Sequence, residues 1–122
     1  MNLPNAPKIY IAGPYSRPDP VVNVRAAIVV ADELCAAGFV PFVPHLSHLW
    51  HLIAPKEYQT WLAYDLHWLS VCDAVIRLPG ESPGADRECE SARILGLPVF
   101  GTVAEVVEWH VLAKEIAHNA HR

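Results

Sequence analysis

The chain has 122 residues, 52% of them apolar, with a formal charge of −4 and a sequence pI near 5.9. That apolar fraction excludes a disordered chain, and the length suits one domain, 1–122. Without a basic run duplex nucleic acid is excluded as a partner, and no apolar run approaches the ~20 residues of a membrane span.

The stretch KIYIA (8–12) reads as a buried strand ended by Gly13 and Pro14. Residues 21–38 read as a helix closed by Gly38. FVPFV (39–43) is a second strand, which Pro41 makes an edge strand or a short one. A helix over 55–72 starts near Pro55, and DAVIRL (73–78) is the third strand. The next helix starts at Ser82 and Pro83, with acids in its positive first turn. LPVFG (97–101) is a fourth strand, 103 to about 117 a last helix, and HNAHR its frayed end. This alternation predicts an α/β three-layer sandwich, with a mostly parallel four- to five-stranded sheet and helices on both faces. In such folds ligands sit beyond the carboxyl ends of the strands, so the loops after 12, 43, 78 and 101 should meet there.

The three cysteines, Cys35, Cys72 and Cys89, sit at apolar helical positions without metal-ligand spacing, as buried thiols of a reducing cytoplasm do. A cytoplasmic location follows as an expectation. His45, His48 and His51 recur every three residues, a spacing that spreads them around a helix, and no acid or cysteine completes a ligand set. Neither a metal nor a cofactor is expected. His45, directly after the second strand, is placed to touch a substrate; His48 and His51 are expected at the surface or an interface.

Two acids face inward. On the helix from Pro83 one face carries Ala85, Glu88, Cys89, Ala92 and Leu95, and Glu88 is its only charge. Asp86 and Glu90 point elsewhere, with Arg87 or Arg93 in reach of Glu90. On the preceding helix Tyr58, Trp61, Leu62, Asp65, Trp68, Leu69 and Cys72 share a stripe, and Asp65 is its only charge. Burying an unpaired carboxylate costs several kcal/mol, so an inward acid is paired or working. Tyr10, near the end of the first strand, lies within reach of Glu88. One carboxylate can attack an anomeric carbon, a second can assist the leaving group, and a phenol can orient the nucleophile. Ser82, Gly84 and the amides of the following helix form an anion cradle, with Gly13, Ser16 and Arg17 of GPYSR as further contacts.

KIYIAGPYS, YDLHWLSVCDAVI and SPGADRECESARILGLPVF together resemble the nucleoside 2-deoxyribosyltransferase superfamily over about residues 8–101. They look closest to its small members, which include 2′-deoxynucleoside 5′-monophosphate N-glycosidases. The resemblance implies a flavodoxin-like fold and a homodimer or homotetramer with a neighbour completing each site. It implies that Glu88 is the nucleophile, Asp65 the assisting carboxylate, Tyr10 the orienting phenol and His45 a substrate neighbour. Six residues before the nucleophile the nucleoside transferases carry aspartate and the monophosphate hydrolases serine; Ser82 stands there, which implies a 5′-phosphate. The hydrolases also carry a serine after the glycine and a basic residue two further on; PYSR shifts these to Ser16 and Arg17. The expected activity is cleavage or transfer of a nucleoside or nucleotide N-glycosidic bond. The alternative is a non-catalytic nucleotide-binding or sensor module on the same rim.

The four tryptophans exceed what a small core covers. Val103, Val106, Val107, Trp109, Val111, Leu112 and Ile116 spread around the last helix and suggest a homo-oligomeric face.

Overall fold

The structure is a computed structural model that describes residues 5–120. Four parallel strands, β1 (Lys8–Ala12), β2 (Val40–Phe42), β3 (Ala74–Arg77) and β4 (Val99–Phe100), stand in the order β2-β1-β3-β4. Strand order reverses between β1 and β3, where crevices open at carboxyl ends. Alternation along β1 sends its side chains to two cores. Ile9 and Ile11 pack with Ala27 and Leu34 of α1 (Pro20–Ala36) and Val106 of α5 (Val103–Ala120). Tyr10 and Ala12 pack with Leu69 of α3 (Tyr58–Leu69) and with Ala85, Cys89 and Ala92 of α4 (Pro83–Ile94). The three-layer α/β architecture is the one the alternation of elements predicts.

Several boundaries differ from the sequence reading, each for a local reason. β2 is a three-residue edge strand, as Pro41 requires. The helix expected over 55–72 begins only at Tyr58, because Glu57 is extended (φ −66°, ψ 153°). Before it, Pro44–Ser47 form a 3₁₀ turn and His48–Ile53 a short helix, α2, where the sequence predicts a loop. Pro55 bars helical geometry at Ala54 and ends α2 there. α5 runs three residues beyond 117; of the frayed end expected at HNAHR, His118, Asn119 and Ala120 are helical, while His121 and Arg122 lie outside the described residues.

α4 starts as its sequence dictates. The Ser82 hydroxyl accepts from the Ala85 amide at 3.1 Å, and Pro83 takes a position that needs no N–H. Ala85, Glu88, Cys89 and Ala92 form the buried face, but Leu95 lies past the last turn and is 53% exposed. Of the three thiols Cys72 and Cys89 are buried and Cys35 is half-buried.

The loops at the carboxyl ends are pressed together. A Cβ on Gly13 would stand 2.9 Å from the Leu78 Cβ, and one on Gly80 (φ +114°) 2.8 Å from Pro14 Cγ. Glycine at both positions lets the loop after β1 lie directly on the loop after β3.

Candidate active site

A cleft of about 1200 Å³ opens over these loops. Of the nine residues expected there, Gly13, Ser16, Arg17, His45, Asp65, Ser82, Gly84 and Glu88 line it. The ninth, Tyr10, is fully buried beneath, and its hydroxyl donates to Glu88 Oε2. Strand alternation turns Tyr10 toward the α3–α4 side, and α4 presents Glu88 on its core face. The residue pair therefore follows from two periodicities meeting at one place.

Glu88 is 9% exposed. Burial pushes its carboxyl up to about 7; the Tyr10 hydrogen bond opposes this, the Asp65 charge adds to it, and Arg77 opposes it. Asp65 is likewise pushed up to about 7 by burial, and its Oδ1 has no hydrogen-bond partner among the described residues. Tyr10 is driven far above the usual phenol range, first by burial and then by the Glu88 and Asp65 charges, so it stays a donor. Burial thus raises both carboxyl groups toward neutrality, and the Asp65 charge adds to the rise at Glu88.

His45 is buried at 4% exposure; its Nε2 donates to the Pro14 carbonyl at 3.0 Å. A carbonyl only accepts, so the proton sits on Nε2 and Nδ1 is left an acceptor, unpartnered among the described residues. Burial holds the ring below its usual pKa and hence neutral. His48 and His51 are half-buried. Tyr15 pairs with His48 Nδ1, and His51 Nδ1 accepts from Trp61 Nε1 at 2.8 Å and from the Lys56 amide at 3.3 Å. His51 thereby ties α2 to α3 and lines the cleft.

Sequence reading did not place Tyr15, Lys56, Tyr58, Trp61 or Arg87 in the site, and all five line it. Trp61 and Tyr58 sit one and two turns before Asp65 on the same stripe, which is the signal that could have found them. Arg87 donates to the Tyr58 hydroxyl at 3.2 Å and stands over its ring. Glu90 pairs with Arg93 at 3.9 Å, and Asp86 with Arg77 at 3.0 Å. Arg17, Lys56 and Arg87 line the same cleft as Glu88 and Asp65, together with the start of α4, where the Gly84 amide is not used by the Ser82 cap.

Residues 7–101 match the family model described as domain of unknown function (DUF7768). No curated protein matches the chain. Among solved structures it is similar to a 2-deoxyribosyltransferase from the psychrotolerant bacterium Bacillus psychrosaccharolyticus, with a TM-score of 0.56 and 24% identity, covering 75% of this chain and 69% of that one. It is also similar to a 2-deoxyribosyltransferase from Leishmania mexicana, with a TM-score of 0.57 and 24% identity over 76% of this chain and 61% of that one. The chain thus spans less than two thirds of the second structure. These likenesses show a shared flavodoxin-like α/β fold.

Proposed function

The chain belongs to the DUF7768 family, whose name assigns no reaction, and from the site itself we propose that it cleaves or transfers the N-glycosidic bond of a nucleoside 5′-monophosphate. The observation that carries this reading is the buried Tyr10–Glu88 hydrogen bond at the floor of a cleft that Asp65 also enters. The ionised Glu88 carboxylate attacks C1′ and forms a glycosyl ester while the bond from C1′ to the base nitrogen breaks. The base departs with that electron pair and takes a proton from Asp65, directly or through water. Water, or a second base, then attacks C1′ and gives its proton to Asp65 while the ester bond from C1′ to Glu88 breaks and frees the carboxylate. No cofactor enters this scheme. The similarity in fold to two 2-deoxyribosyltransferases supports the reaction class.

The preference for a phosphate rests on the cations that line the cleft. Ser82 accepts from Ala85 and keeps its own O–H to donate, and Gly84, Ser16 and Arg17 line the same cleft. Incubation with deoxy- and ribonucleotides and with the free nucleosides should release base fastest from a 5′-monophosphate. Ser82→Asp keeps the helix cap but sets a carboxylate against the phosphate. A like-charge contact of several kcal/mol lowers kcat/KM for the monophosphate by ~100-fold and spares the free nucleoside. Equal losses on both substrates would remove the phosphate from the site. Tight nucleotide binding without base release would instead favour a non-catalytic nucleotide-binding module.

A homodimer or homotetramer belongs to the same reading. Trp50 and Trp68 are 46% and 40% exposed, and Val107, Val111, Leu112 and Ile116 of α5 face outward. Val106, expected on that outward arc, is instead covered by the chain's own core, with Val103 and Trp109 partly so. Light scattering should give a multiple of 13.5 kDa; a monomer at every concentration contradicts association.

A further inference from the structure

Arg77 ends a strand that is otherwise apolar, and its guanidinium reaches three acceptors on two successive elements. Nη1 donates to the Leu78 carbonyl, and Nη2 donates to the Gly80 carbonyl at 2.9 Å and to Asp86 Oδ1 at 3.0 Å. Gly80 lies against Pro14, and the Pro14 carbonyl is held by His45. The loops after β1, β2 and β3 and the first turn of α4 are therefore joined in one chain of contacts, with Arg77 at its centre.

We infer that Arg77 is a positioning residue of the proposed reaction: it fixes the loop 79–82 and the first turn of α4, and so sets Ser82 and Glu88 against each other across the cleft. The inference rests on the glycosidic reading for its function and on the three hydrogen bonds for its geometry. The forked, planar guanidinium suits this arrangement, since Nη1 serves Leu78 while Nη2 serves both Gly80 and Asp86, a spread that the single nitrogen of an ammonium does not match. The Arg77 charge also favours the ionised Glu88 carboxylate, as the last of the influences on it after burial, Tyr10 on β1 and Asp65 on α3. Two separable effects follow. Loss of the fork loosens the phosphate rim and raises KM. Loss of the charge makes Glu88 harder to ionise.

The test compares Arg77→Lys with Arg77→Gln in the full chain, using a deoxynucleoside 5′-monophosphate as probe. Both variants should raise KM by ~10-fold, the loss expected when a charge-assisted hydrogen bond is removed. Carbon-13 NMR of labelled glutamate follows Glu88 directly, its signal assigned by its absence in Glu88→Gln. Arg77→Gln should move the Glu88 midpoint upward, and Arg77→Lys should return it close to wild type. The acid limb of kcat/KM should move with it. An unchanged KM together with an unchanged midpoint, whatever the loss of stability, makes Arg77 merely structural and overturns the inference. If Arg77→Gln fails to fold, Asp86→Asn removes the α4 arm alone at an exposed carboxylate. Its KM should rise about threefold with kcat unaltered, and an unaltered KM overturns the inference equally. If wild type releases no base, the glycosidic reading fails, while the NMR midpoints still decide whether Arg77 governs Glu88.

Discussion

Glu88→Gln should abolish base release and at the same time raise the thermal stability of the protein at pH 8. The loss of activity follows because an amide oxygen cannot form the glycosyl ester, and removal of a covalent nucleophile costs at least ~10³-fold in kcat. The gain in stability follows from burial. Glu88 is pushed from its ordinary value of 4.5 up to about 7, so the folded state favours the protonated group. Below pH 4.5 the group is protonated in both folded and unfolded chains and its charge opposes nothing. As pH rises from 4.5 through 7 the unfolded chain sheds the proton first, and stability falls. Above 7 the whole penalty is present, about 3 kcal/mol for two and a half units. Glutamine keeps the shape and still accepts from Tyr10, so it removes much of that penalty. Melting curves at pH 8 should show Glu88→Gln several degrees above wild type, with the gap closing toward pH 4. A variant less stable than wild type at pH 8 would contradict the claim that the buried carboxylate is held against its own solvation.

Tyr10→Phe should lower activity without abolishing it, and the loss should depend on pH. The Tyr10 hydroxyl favours the ionised carboxylate, so its removal lifts the Glu88 value further above 7. At pH 6, kcat/KM should fall by ~10- to 100-fold, and at pH 8.5, where Glu88 ionises regardless, by much less. Stability responds with the same sign. Phenylalanine leaves a buried carboxylate oxygen without its donor, a cost of about 1–3 kcal/mol that is largest when the group is charged. The melting temperature should therefore drop more at pH 8 than at pH 5. A loss of equal size at all pH values would mean that Tyr10 supports packing alone. Tyr10 also stacks on Phe42, a contact that phenylalanine preserves.

The meeting of Tyr10 with Glu88 was legible in the sequence because both positions obey simple periods. Strand alternation sets Tyr10 opposite Ile9 and Ile11, and α4 spacing sets Glu88 among Ala85, Cys89 and Ala92. Asp65 followed from its stripe in the same way. Leu95 did not, because helical spacing says nothing about where the helix stops. The short helix α2 was hidden by its proline-bounded, histidine-rich sequence, and its tie to α3, where His51 accepts from Trp61, is a long-range contact. The cationic lining of the cleft was less legible still. Arg17 was marked by its loop, but Lys56 precedes the helix start and Arg87 leans across to Tyr58. Only the folded arrangement brings those three side chains to one opening. The part played by Arg77 could not be read from DAVIRL, because its acceptors come from the turn after β3 and from the first turn of α4, whose approach the sequence does not specify.

Whether Glu88 forms a bond to the sugar is decided most directly by mass spectrometry of the protein mixed with a deoxynucleoside 5′-monophosphate and quenched in acid within milliseconds to seconds. The expected result is a phosphosugar adduct on the peptide that contains Glu88, formed with release of free base and absent in Glu88→Gln. Base released with no adduct at any time, or an adduct carried by another residue, would contradict it.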